Sequence, residues 1–462
     1  ADASRAAEPT SAGVTAVDSG ATESSPPIVA VLPFDNLSPN SDDAYFASGL
    51  HDEILNQLAK LDAIKVISRT SVLRYAANRP AIPQIAAELN ADAIMEGSVR
   101  YAGDRILVTA QLIDAATDTH LWTQTYPGDL SDLQQIFAIQ SDIAMNVANA
   151  LSAELSPEDR TSLARMPTAS REAYELYLAS INTRQILDNP RAMEQIERAL
   201  ELDPSFAEAW AQKASIQASS QAGLPPDRVA ERLANARQNA LHAVELAPDS
   251  AAVLSQYAFV LTQQGDWIEA KRAYDTMLAL GGDFTDASLV FHQLSVGDFA
   301  GAKASTQALY ERDPLNPNAL GFLLFSHGFL GEDREEAETY AKGKALFDSW
   351  ISGEIAEFYL RLARREFEHV RRVAPIVGRI SNALVDYLDA PEAGLAEIRR
   401  LSSTEEFSAN VPRINLGLWA AFFGDDELAL DLLSAALERS RTNTYYVWMP
   451  LLERARQRPA FK

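Results

Sequence analysis

The stretch LPFDNLSPNSDDAYFASGLHDEILNQL, Leu32 to Leu58, sets Ser48, His51, Asp52 and Glu53 side by side. It invites two readings: the start of a hydrolase site, or a strand handing over to a helix. The run IVAVLPF (28–34) just before and into it suits a strand covered on both faces. NLSPNSDD then supplies turn and capping residues, with Asp42 and Asp43 near the positive end of the coming helix. Phe46, Leu50, Ile54, Leu58 and Leu61 recur at spacings of four, four, four and three, which is one buried helical stripe. Ser48 and His51 are helical neighbours, but a triad also needs an exposed nucleophile and an oxyanion hole. The stretch reads as structure, and no catalytic residue is assigned.

Outward from this point, IKVIS (64–68) reads as a second strand and IPQIAAELN (82–90) as a short helix. AIMEGSVR (93–100), RILVTAQLID (105–114) and HLWTQTY (120–126) form a meander, with YAGD suited to a tight turn. SDLQQIFAIQSDIAMNVANALSAEL (131–155) is a long amphipathic helix with Leu133, Ile136, Phe137, Ile143, Val147 and Leu151 on one side. The order βαβαβββα predicts an α/β mixed-sheet domain.

From about residue 170 the pattern is helical only, and it repeats. GDWIEAKRAY (265–274), GDFAGAKAST (297–306), GEDREEAETY (331–340) and GDDELALDLL (424–433) are one recurring element. Aligned on Ala192, Ala236, Ala270, Ala302 and Ala337, the intervals are 44, 34, 32 and 35 residues. All but the first match the tetratricopeptide period of about 34. The ten extra residues of the first interval fall in the loop around QASSQAGLPPD, and decayed repeats are expected around Val370 and Ala396. The chain is expected to divide into a disordered linker (1–27), the α/β domain (28–155), a linker (156–170) and an all-α tetratricopeptide-repeat superhelix (171–462). Two independent folding units follow from that division.

Lys and Arg number 40 against 64 Asp and Glu, a formal net charge of -24. Nucleic-acid affinity rests on clustered cations, so no nucleic-acid partner is expected, and an anionic membrane surface is disfavoured. The absence of Cys rules out disulfides and thiolate chemistry. The most apolar run, LGFLLFSHGFLG (320–331), is too short to span a bilayer and reads as a buried helix. The opening ADASRAAEPTSAGVTAVDSGATESSPP has linker composition. Something is therefore expected upstream, either a removed signal peptide or an effector domain with a membrane span.

Residues 28–152 resemble the TolB-like amino-terminal domain of bacterial signalling proteins. The resemblance lies in AVLPFDNLSPNSDDAYFASGLHDEI, KVISRTSV, IAAELNADAIMEGSVR, GDRILVTAQLIDAATDTHLWTQTY and LQQIFAIQSDIA. It implies tetratricopeptide repeats downstream. It also implies an effector upstream: a winged-helix DNA-binding domain, a class III adenylate or guanylate cyclase domain, or a kinase domain, often followed by one span. It supplies no catalytic residues.

The expected function is therefore a non-catalytic sensor and protein-interaction region, periplasmic and tethered to the membrane in the full protein. A cytoplasmic location and a free-standing exported scaffold are the alternatives. No cofactor or metal is expected: the six histidines (His51, His120, His242, His292, His327, His369) show no metal-ligand spacing. A metal site assembled in three dimensions, or pH sensing by one histidine, stays open. Gly97 in EGSVR either lines a cleft or admits a bulky neighbour such as Trp122. In the repeat frame, the ninth position of each first helix is Phe259, Phe291 and Ser326, with Phe322 at a fifth position. These aromatics either line a groove that binds a protein or peptide partner, or pack against the next repeat.

Overall fold

Strands β1 (Ile28–Val31), β2 (Asp35–Asn36), β3 (Lys65–Val66), β4 (Ala93–Ala102), β5 (Arg105–Asp114) and β6 (His120–Asp129) form one sheet, ordered β3-β1-β4-β5-β6 with β2 also on β4. The computed structural model describes residues 26–461 apart from 39–43, 60, 62, 77–78, 103–104, 130–131, 154, 157–159, 161–162, 164, 186–187, 220–223, 225, 281, 283–287, 348–349, 405–406, 408–409 and 439–443. The capping expected of Asp42 and Asp43, the Phe46 and Leu133 side chains, most of the opening linker, and parts of the 101–104 turn and the 217–227 loop lie outside the described residues.

The strand expected over 28–34 stops at Val31, and a second short strand follows at 35–36, because Pro33 has no N–H to give the ladder. Pairing to β4 resumes beyond it, where the Leu37 N–H donates to Val99 O at 2.8 Å. β1 and β2 run parallel to β4, whereas β4, β5 and β6 are antiparallel. Ala93, Ile94 and Met95 have no exposed surface. Helices α1 (Ala44–Ala59) and α4 (Leu133–Ala150) cover one face of the sheet, while α2 (Arg69–Val72) and α3 (Ile82–Leu89) cover the β1–β3 end of the other. Leu50, Ile54 and Leu58 supply the α1 stripe. Gly97 packs against Phe34 rather than Trp122: a Cβ there would sit 2.4 Å from the ring.

Helical hairpins follow. The first three pair α5 (Arg171–Gln185) with α6 (Asn189–Leu202), α7 (Ala207–Ser219) with α8 (Pro226–Leu246), and α9 (Ala251–Gln264) with α10 (Trp267–Ala279). Next come α11 (Ser288–Val296) with α12 (Phe299–Arg312), α13 (Pro317–Leu330) with α14 (Asp333–Leu346), and α15 (Ile351–Ala363) with α16 (Phe367–Val377). Beyond these lie α17 (Arg379–Leu384), α18 (Pro391–Ser402), α19 (Asn410–Phe423) and α20 (Asp426–Leu437), then a 3-10 turn (Thr444–Trp448) and α21 (Glu453–Arg456). The fold is a mixed-sheet α/β unit followed by an all-α repeat superhelix.

Ala192, Ala236, Ala270 and Ala302 are fully buried at the hairpin crossings, as their shared frame requires. Ala337 is exposed, so the alignment there was one residue out. Glu336 takes the crossing position instead, 34 residues after Ala302 and 34 before the buried Val370. Its buried carboxylate is held by both Arg364 nitrogens, at 2.7 and 2.6 Å.

The array is fastened to the α/β unit near its own start and again beyond α12. Near its start, the Phe137 and Tyr174 rings meet edge-on at 4.8 Å, and the Leu178 side chain fills the space above Gly49. Further along, the loop after α12 reaches the opposite sheet face. There Leu315 joins the core of Ala30, Leu32, Ile67 and Val72, and Asp313 Oδ2 accepts from the Ser68 N–H at 3.3 Å. Described residues of the segment 156–170, read as a linker, are also packed. Leu163 is buried in the α1–α4 core, and Thr168 is buried and donates to Asp203. The expectation of two independent units gives way to two units sharing core residues.

Leu315→Ala should therefore destabilise the sheet as well as the repeats, by about 2–4 kcal/mol. A lower urea midpoint, with faster amide exchange in β1, is the expected result; unchanged exchange in β1 would contradict this docking.

Candidate functional site

Adjacent first helices of the array lie against one another, α7 on α9, α9 on α11 and α13 on α15, and together form its inner wall. Counting back eleven residues from Ala270, Ala302, Glu336 and Val370 gives Phe259, Phe291, Phe325 and Tyr359. The correction from Ala337 to Glu336 thus replaces Ser326 with Phe325. Ser326 is buried, with its hydroxyl donating to Phe322 O at 2.9 Å. The result is a row of four aromatic side chains, one on each of α9, α11, α13 and α15.

Phe291 and Phe325 are brought together by a third residue, Tyr445, whose ring meets theirs edge-on at 5.5 and 5.4 Å. Tyr446, stacked on Tyr445 at 4.5 Å, meets Phe325 at 6.3 Å and Tyr359 at 5.9 Å. Phe259 is half-buried against a separate cluster around Leu254, Tyr257 and Leu261. Phe322, three residues before Phe325 on the same helix, is half-buried. Among the described residues neither Phe259 nor Phe322 makes a ring contact. Sequence reasoning missed Tyr445, Tyr446 and Trp448, although the aromatic-dense run TYYVW (444–448) after the last repeat was there to be read.

The serine–histidine stretch is a buried polar junction. His51 Nε2 donates to Val31 O at 2.9 Å, and its Nδ1 lies 3.5 Å from Asp52. Arg69 donates to Ser48 Oγ at 2.8 Å and pairs with Asp52. His51, Asp52 and Glu53 are buried where α1 meets α5, and burial together with the Glu53 carboxylate holds the Tyr174 hydroxyl well above the usual phenol range. These bonds tie helix to strand and present no nucleophile. Among the described residues, no group of three His, Cys, Asp or Glu side chains is placed to hold a metal, and no helix is long and apolar enough to cross a membrane.

Residues 25–146 match the family model described as the second domain of HilA/YgeH-like transcriptional regulators. A Rhizobium meliloti (strain 1021) relative that is by name an adenylate cyclase is 34% identical over 219 residues, or 46% of this chain. The chain covers 37% of that relative's length. A tetratricopeptide repeat protein from Parabacteroides merdae is 13% identical, with a TM-score of 0.29 over 61% of this chain and 99% of its own. A lipoprotein from Neisseria meningitidis is 17% identical, with a TM-score of 0.22 over 27% of this chain and 98% of its own. At such scores neither structural likeness carries weight.

One histidine predicts a pH response. His292 is buried beside Thr262 Oγ1 (3.2 Å) and the Tyr274 ring, and burial, then Lys271, lowers its pKa to about 4 against the opposing effect of Asp275 and Asp298. Between pH 6.5 and about 4, the unfolded chain takes up a proton that the folded chain refuses. Stability supplied by the neutral ring is thus complete above pH 6.5 and is lost on acidification through this window, by up to about 3 kcal/mol. His292→Gln should flatten that part of the slope, as read from urea midpoints at neutral pH and near pH 5; an unaltered slope would count against the assignment.

Proposed function

We propose that this chain is the sensing and protein-interaction region of a bacterial signalling protein whose output is made by an effector outside it. The observation that carries the reading is the pairing itself: a regulator-type α/β unit, matched over 25–146, leads directly into a helical repeat superhelix. Supporting it, the similarity to the cyclase-named relative covers a minority of that protein's length. The mutual bonding of Ser48, His51, Asp52 and Arg69, with His51 and Asp52 buried, also favours a non-catalytic role.

The TolB-like resemblance of residues 28–152 sharpens the setting. On this reading the effector is a nucleotide cyclase or winged-helix regulator, the α/β unit sits next to the membrane on the periplasmic side, and the repeats bind a protein or peptide. Phe259 and Phe322, both half-buried, are contact residues on the repeat surface.

In the full-length protein, Phe259→Ala combined with Phe322→Ala should lower signal-dependent output while shifting the melting temperature by only a few degrees, about 1–2 kcal/mol in these half-buried sites. Alkaline phosphatase fused after Lys462 should be active. Saturable turnover by the purified chain that is lost on a point change, or a silent fusion, would overturn the corresponding part of the proposal.

A further inference from the structure

The row formed by Phe291, Phe325 and Tyr359 is already covered, and what covers it comes from the far end of the chain. The 3-10 turn Thr444–Trp448 lies on α11, and the next turn, Pro450–Leu452, lies on α15 and α19. The segment therefore passes from α11 to α15 and α19 along the inner wall, the face on which a repeat groove holds a peptide ligand. Its contacts have the form of recognition. Tyr445 and Tyr446 present their rings to Phe291, Phe325 and Tyr359, and the Trp448 indole N–H donates to Ser295 O at 3.0 Å across 153 residues of sequence. Trp448 also meets Phe299 edge-on at 6.0 Å and lies over Gly297, where a Cβ would approach the indole to 3.1 Å.

The segment has a root and a tip. Met449, Leu452 and Ala455 are fully buried, Arg454 bonds Asp426 at 3.0 Å and Ala421 O at 3.1 Å, and Arg456 donates to the Val447 and Met449 carbonyls. The Arg454 bonds tie the root to α19 and α20, while those of Arg456 stay within the segment and link root to tip. The tip, 444–448, holds the groove mainly through rings and one indole bond. Its removal would leave the hairpins' own backbone bonds intact.

We propose that residues 444–448 are an internal ligand of the repeat groove and hold it closed to other segments. The partner that fits this face is an aromatic-bearing peptide segment, able to set rings against Phe291, Phe325 and Tyr359 and a donor against Ser295 O. It must compete with a tethered occupant whose effective concentration is of millimolar order. The inference rests on the repeats being a protein-binding surface and names how that surface is regulated.

The probe is a fluorescein-labelled peptide of residues 444–452, offered to the full chain and to its Tyr445→Ala/Trp448→Ala variant. The expected result is saturable binding to the variant and at least about tenfold weaker binding to the parent, whose tethered tip leaves little open groove. A folded variant that fails to bind the peptide overturns the proposal. Should the variant not fold, native-state hydrogen exchange on the unaltered chain decides. Amides of 445–448 should exchange at least about 100-fold faster than those of α13 and α15, through a local opening. Exchange in step with α13 and α15 would make the segment a fixed part of the core and end the idea. Peptide binding combined with unchanged signalling in the Phe259/Phe322 variant would sustain this inference while removing the reading under Proposed function.

Discussion

The position four residues past each hairpin corner governs the array. Where it is alanine, as at 192, 270 and 302, two helices close over a side chain with no exposed surface. That approach fixes which face of each first helix turns inward, and so which residue eleven places earlier lines the wall. At 336 the rule is kept by different chemistry. A glutamate too large for the crossing is accommodated because Arg364, from the following hairpin, neutralises it through two hydrogen bonds. A buried pair of this kind stabilises little compared with an apolar equivalent, but losing one partner leaves a stranded charge. The pair is better understood as fixing register between hairpins than as a source of stability.

The same position explains what the sequence did and did not disclose. Periodicity located the hairpins, and the apolar runs located the strands, because burial on a regular element leaves a regular trace. Aligning on small residues failed at Glu336, whose partner lies 28 residues on and leaves no local trace. That one-residue slip hid Phe325 behind Ser326 and broke the aromatic row. Pro33 was visible, yet its effect on the ladder depends on β4, more than sixty residues away. The occupant of the groove was least legible of all. TYYVW follows the last periodic helix, and nothing in its own spacing says that it folds back on helices starting at residue 288.

The polar junction on α1 shows why residue types alone mislead. Ser48, His51 and Asp52 have the inventory of a hydrolase, but each has its capacity directed to a structural partner: Val31 O, Arg69, or both domains at once through Glu53 and Tyr174. With Phe137 and Leu178 alongside, this junction makes α1 a component of two cores. The α/β unit and the start of the array therefore respond together to any change at α1, a mechanical requirement for a region that relays a state from one to the other.

Leu315 and Asp313 carry a consequence for the order in which the molecule is made. The second sheet face is completed by residues that lie well over a hundred positions beyond the last helix of its own unit. During synthesis, the strands and their flanking helices leave the ribosome with that patch bare. It stays bare until four successive hairpins have been translated and stacked. The amino-terminal half thus waits on the carboxy-terminal half, and a chain halted midway displays a greasy notch that quality-control proteases or chaperones can read as unfinished.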